Sequence, residues 1–268
     1  MGEVLTRPPR LGPVDAVGLE ERAASLAALD LEGASRLHAL KLAVRVLEVH
    51  AHERTATPGS VREACARAVH PDPADGSVPS AAAVRVRPAF VPLCGECLEE
   101  SGVRVVSSAT PAEARRTVEL GADEVATRLD AAAFLTGGYA GVADRIARVK
   151  DAAGAADLTV VVDPEELGTY DDLRRAALLA AVAGADFVEL SPTSLPAALC
   201  VVEAIRDVRD ETGYAVGFKA AGIRTAERAV RHLVLVHETL GPEAPAPGRY
   251  RLGGGSGLLD DLVREIRE

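Results

Sequence analysis

Three lysines, Lys41, Lys150 and Lys219, stand against 27 arginines in a chain of 268 residues, so arginine abundance reads as coding bias and each lysine carries more weight. Lys219 sits in an apolar, strand-like run, Val216-Gly217-Phe218-Lys219-Ala220-Ala221, closed by Gly222-Ile223-Arg224-Thr225. A second run, Gly184-Ala185-Asp186-Phe187-Val188-Glu189-Leu190-Ser191, sets a carboxylate in an apolar setting. A third, Arg249-Tyr250-Arg251-Leu252-Gly253-Gly254-Gly255-Ser256-Gly257, puts a glycine-rich turn between a strand and a helix. An amine serves as nucleophile or fixed cation, and a carboxylate moves protons. The N–H groups of Gly254, Gly255 and Ser256, with the helix start behind them, can hold a phosphate or carboxylate, with Gly222 and Arg224 across from them.

An alternation of short apolar strands and amphipathic helices must position these groups. Strand patterns cover 43–50, 82–87, 103–107, 123–129, 158–163, 186–191, 215–220 and 250–252. Helical spacing covers 60–69, 90–101, 112–120, 139–153, 171–183, 195–212, 226–240 and 257–267, after a first helix over 15–41. Thr110-Pro111, Thr169 and Thr225 read as helix starts, and Asp171-Asp172 and Asp260-Asp261 as acids in first turns. Eight strand-helix units predict an α/β fold, a single (β/α)8 TIM barrel over 1–268, with 1–41 as an N-terminal helical extension. A doubly wound open sheet is the rival, but no G-x-G-x-x-G follows the first strand. The proline-bearing stretches 70–80 and 241–248 are too short to divide domains.

With 48% hydrophobic residues the chain can fill a core, and a net charge of -10 provides no general footprint for nucleic acid. Aromatic residues make up 3%, too few for base-stacking platforms. No apolar run approaches the ~20 residues that span a bilayer, and Met1 to Arg10 lack the apolar core of a signal peptide, so a cytoplasmic protein is expected. Cys94 and Cys97 form one C-x-x-C on a helical pattern, with Cys65 and Cys200 alone; small buried side chains explain them better than zinc.

From Gly121 to the C-terminus, and more loosely back to Val44, the chain resembles the deoxyribose-phosphate aldolase family, lysine-dependent class I aldolases built on a (β/α)8 barrel. Gly121-Ala122-Asp123-Glu124-Val125 resembles the family's fourth strand, Gly184-Ala185-Asp186-Phe187 the lead-in to its Schiff-base strand, and Val216-Gly217-Phe218-Lys219 its second-lysine strand. The interval ending in Arg249-Tyr250-Arg251-Leu252-Gly253 also matches. The departures lie at the chemistry. The imine-forming lysine falls on Glu189 and the catalytic Asp on Ala126; the second lysine alone remains, as Lys219. The phosphate-loop glycine is lost in Glu189-Leu190-Ser191-Pro192-Thr193, a glycine is missing after Lys219, and Ser107-Ser108-Ala109-Thr110 runs almost directly into helix.

Two neighbouring lysines lower each other's affinity for protons, whereas Glu189 in place of one favours the ammonium form of Lys219. Three roles for Lys219 follow: imine former, cation or acid-base group, and structural ion pair. Counting in steps of two from the matched positions places Glu48, His50, Arg85, Arg87, Arg128, Asp130, Asp163, Glu189, Ser191 and Lys219 toward the pocket. Arg85, Arg87 and Arg128 then either clamp an anionic substrate or form internal ion pairs with Glu48 and Asp163. His50-x-His52 is at most half a metal site, and His38, His70, His232 and His237 read as solvated.

The expected function is a diverged lyase or aldol-type enzyme for a small oxygenated anion, with Lys219, Glu189 and Asp163 as catalytic candidates. Glu48, His50, Arg85, Arg87, Arg128, Ser191, Gly222, Arg224, Gly254, Gly255 and Ser256 are the substrate-binding candidates. A non-catalytic binding or partner barrel and an imine-independent dehydratase or isomerase are the alternatives. The resemblance implies no metal and no organic cofactor, and often a homodimer; nucleic acid and membrane are not expected partners. A rewritten site in a GC-rich coding background suits specialised metabolism.

Overall fold

The computed structural model describes residues 12–268, so the reading of Met1 to Arg10 lies outside the described residues. Eight parallel strands close in sequence order into a barrel: β1 (Leu47–His50), β2 (Ala83–Val86), β3 (Arg104–Ser108), β4 (Glu124–Arg128), β5 (Asp157–Val162), β6 (Phe187–Leu190), β7 (Gly217–Ala221) and β8 (Tyr250–Gly254). The helices are α1 (Ala16–Ala27), α2 (Gly33–Arg45), α3 (Pro58–Val69), α4 (Val91–Leu98), α5 (Ala114–Glu119), α6 (Ala131–Leu135), α7 (Tyr139–Ala153), α8 (Pro164–Leu167), α9 (Tyr170–Val182), α10 (Leu195–Thr212), α11 (Ala226–Leu240) and α12 (Ser256–Arg267). None is long and apolar enough to cross a membrane among the described residues.

Local chemistry starts and stops the elements, with Thr169 and Thr225 as the helix starts the sequence indicates. Thr169, Ser194 and Thr225 accept the backbone N–H of Asp172, Ala197 and Arg228, and Thr57 and Ser60 cap each other reciprocally at α3. Gly168 and Gly213 end α8 and α10 in left-handed conformations that a side chain would resist. Strand alternation sorts the side chains: Val125 of β4 and Val160 of β5 pack outward under the helices. Glu124 and Thr159, one position away, are bonded to each other inside the barrel.

Several boundaries differ from the sequence reading. Ala43 and Val44 belong to α2, because Ala39, Leu40, Ala43 and Val44 make one buried helical face, and β1 begins only at Leu47. The first helix is two: α1 packs on α10 and α11, α2 on α11 and α12, and a turn between them changes direction. Those two helices also cover α11, so His232 is 1% exposed and not solvated; its Nδ1 lies 2.8 Å from the Arg228 carbonyl. Thr110 bonds Glu113 ahead of α5. Asp261 sits in the second turn of α12 and caps α11 instead, accepting from Ala226 N at 2.7 Å. The short helices α6 and α8 had no periodic signal.

Candidate active site in the barrel

The lumen holds six charged groups where an ordinary barrel is apolar. Lys219, Arg85 and Arg251 supply the cations, Glu48, Glu124 and Glu189 the carboxylates, and each is at most 4% exposed. Lys219 Nζ donates to Glu48 Oε2 at 2.8 Å and to Glu124 Oε1. Arg251 Nη1 reaches Glu124 Oε2 at 2.7 Å, and Thr159 Oγ1 donates to Glu124 Oε1 at 2.6 Å. Arg85 Nε lies 2.5 Å from Glu48 Oε1, while its two Nη groups grip both oxygens of Glu189, Nη1 to Oε1 at 2.9 Å. The Phe187 ring carries Lys219 Nζ 4.8 Å and Arg251 5.0 Å from its centroid.

Charges this deep persist only because they are matched in number and sign. Burial by itself would raise the Glu48 carboxyl, but Arg85 and Lys219 beside it hold it well below the ordinary range. Glu124 is lowered in the same way, burial opposing Lys219 and Arg251. For Arg85, burial works against the charged form and is overcome by Glu189 and Glu48, which raise it. Two carboxylates converge on the single Nζ of Lys219.

Above this cluster, at the C-terminal mouth, lies a cavity of about 460 Å³ over β2 to β6. Arg85 and Glu189 form its floor, and Arg128, Arg145, Ser108, Thr110 and Ser191 line it. His52 also lines it; burial, then His50 and Arg85, bring its imidazole down to about 4, so it is neutral near pH 7. Lys219 does not reach this cavity, being sealed beneath it.

The anticipated site residues therefore divide. Arg85, Arg128, Glu189 and Ser191 share the cavity. Glu48 and Lys219 lie in the lumen, and His50 sits half-buried with Nε2 3.4 Å from Glu48 Oε1. Lys219 and Glu189 are register partners on β7 and β6, yet their charged ends turn to different counterions. Asp163 caps α8 through Glu165 N at 3.0 Å and meets Arg128 at 3.3 Å on the rim. Arg87 turns out of the mouth, donating to the Ala56 carbonyl at 3.4 Å and covering Phe90. Asp130 caps α6 and pairs with Arg145 at 3.1 Å.

Gly222, Arg224, Gly254, Gly255 and Ser256 stand apart from the cavity. Gly222 N is spent on the Gly253 carbonyl at 3.1 Å. A Cβ at Gly254 would fall 2.6 Å from Leu258 Cδ2, so that part of the turn is filled by its own helix. Glu124 and Arg251 were missed, although Arg251 is a charge between Tyr250 and Leu252 in a strand, and steps of two back from Arg128 reach Glu124. His52 and Arg145 lie on a loop and a helix, where no strand period points to them. Among the described residues no group of three or more His, Cys, Asp or Glu side chains is placed to hold a metal ion.

No family profile matches the chain. It is 37% identical over 161 residues to the deoxyribose-phosphate aldolase of Mus musculus, covering 58% of this chain and 50% of that one, and 36% identical over the same length to that of Homo sapiens. The chain thus spans about half the length of the curated relatives it matches. Among solved structures, a Toxoplasma gondii protein provisionally described as a deoxyribose-phosphate aldolase superposes with a TM-score of 0.73 at 25% identity, over 86% of this chain and 94% of that one.

Proposed function

We propose that this chain, 37% identical over 161 residues to a deoxyribose-phosphate aldolase, belongs with that family and is an aldol-type carbon–carbon lyase for a small oxygenated anion that works without an imine. The carrying observation is the partition of the site: the Arg85–Glu189 pair faces the cavity while Lys219 is closed off below it. In the cleavage direction Glu189 takes the proton of the substrate hydroxyl, and Arg85 stabilises the enolate oxygen that appears as the carbon–carbon bond breaks. Substrate enters by exchanging Arg85–Glu189 contacts for its own. Arg128 receives its phosphate or carboxylate, with Ser191 as a neutral donor. Lys219, Glu48, Glu124 and Arg251 act behind this pair, holding Arg85 in place by charge balance.

A second reading, a barrel that binds without turning over, is favoured by the engagement of both Glu189 oxygens by Arg85. One experiment separates the readings. The protein is incubated with a panel of aldehydes, hydroxy carboxylates and sugar phosphates, with borohydride in one arm and product assay in the other. Turnover without a trapped adduct, reduced at least ~100-fold in Glu189→Gln, supports the lyase. A borohydride adduct on Lys219 overturns it, and saturable binding with no product on any substrate selects the binding barrel.

A further inference from the structure

Three of the four cysteines converge on the outer wall of the barrel, away from the mouth. Cys94 and Cys97, three positions apart on α4, share a helix face. Cys65 meets them from α3, with its Sγ 3.5 Å from Cys94 Sγ. Cys65 and Cys94 are fully buried and Cys97 is exposed.

The three thiols are chemically unequal. Hydrogen bonding from Cys94, opposed by burial and helped by Cys97, draws the Cys65 thiol down. Burial and Cys65 push Cys97 up, with Arg62, one turn before Cys65, pulling the other way. A sulfur that leans toward thiolate therefore lies behind an exposed one that solvent reaches first. Cys200 provides an internal contrast: it stands alone, buried, donating to the Tyr170 carbonyl at 3.4 Å, its thiol pushed up to about 12 by burial.

We propose that Cys97, Cys65 and Cys94 form a thiol–disulfide exchange site, entered at Cys97 by low-molecular-weight disulfides and closed by a Cys65–Cys97 bond. In the first step the Cys97 thiolate attacks one sulfur of the small disulfide; a mixed disulfide forms and one small thiolate leaves. In the second, the Cys65 thiolate attacks Cys97 Sγ, the new bond joins α3 to α4, and the other small thiolate leaves. The small disulfide is reduced by two electrons and the two protein thiols are oxidised by the same two, their protons going to the released thiolates. Cys94 stays reduced and hydrogen-bonds Cys65 while it waits. The bond would tie together the helices that follow the strands bearing His50 and Arg85.

The test uses the full chain with oxidised glutathione as probe, read by intact mass and by mapping of disulfide-linked peptides. The native chain is expected to lose two hydrogens and yield a Cys65–Cys97 peptide pair, reversed by dithiothreitol. Cys65→Ser should stop at a persistent glutathione adduct on Cys97, Cys97→Ser should take up nothing, and Cys94→Ser should still close the bridge. A lasting adduct on native Cys97, or bridging in Cys97→Ser at the native rate, overturns the proposal. The native and Cys97→Ser arms decide even if a substitution at buried Cys65 fails to fold.

Discussion

Lys219 and Glu48 meet at 2.8 Å across the lumen although their strands are not neighbours, β8 standing between β7 and β1. The contact joins opposite ends of the chain and makes one carboxylate the junction for Arg85, Lys219 and Arg251. Lys219 is therefore first a part of the core and only then a candidate for chemistry.

Removing that cation should be costly. Lys219→Met leaves Glu48 and Glu124 buried with less compensation, and a loss of about 3–5 kcal/mol is expected in urea unfolding. Lys219→Arg, which keeps the charge, should lose less. A change below ~1 kcal/mol in Lys219→Met would contradict the role given to the network.

Acid should attack the same cluster. The Glu48 and Glu124 carboxyls are lower in the folded protein than in the unfolded chain, where a glutamate titrates near ~4.3. Their contribution is complete above that value and drains away as pH falls below it. Melting temperature followed from pH 6 down to pH 3 should drop steeply below about 4.3, and the drop should be shallower in Glu48→Gln.

His232 predicts a second limb at higher pH. Burial lowers its imidazole to about 4, against ~6.5 in an unfolded chain. The unfolded state binds the proton first, so stability present above pH ~6.5 is lost on the way down to pH 4, by about 3 kcal/mol. His232→Gln should flatten the stability profile in this window while leaving the steeper fall below it.

Gly217 leaves room for the Phe187 ring. A Cβ there would stand 2.3 Å from Phe187 Cδ1 and 3.0 Å from the Arg249 carbonyl, so either the ring or β8 must move. Gly217→Ala is expected to lower stability by about 1–3 kcal/mol through overpacking. It should also displace the ring from Lys219 and Arg251, visible as a change in its aromatic proton shifts.

The barrel was legible because βα alternation is a property of short windows, and strands and helices alike announce themselves by period. It failed at Ala43 and Val44, which satisfy a helix face and a strand equally, and was settled by the packing of α2 on α11 and α12. The site was legible only in part. Steps of two identified Glu48, Arg85, Glu189 and Lys219 as inward, since alternation fixes direction. They could not say who pairs with whom: Lys219 and Glu189 are adjacent in register, and partner choice depends on Glu124 and Arg251, which the family match did not single out. The anion role for the glycine turn set Gly222 across from it, but the fold spends Gly222 N on the Gly253 carbonyl, and Leu258 fills the space beside Gly254.

The equal tally of cations and carboxylates in the lumen constrains what position 189 can carry. An amine there would remove a carboxylate and add a positive group in one stroke, leaving Arg85, Lys219 and Arg251 facing a newcomer of their own sign. Such a side chain would fit only alongside a compensating carboxylate, or the loss of a cation, elsewhere in the staves.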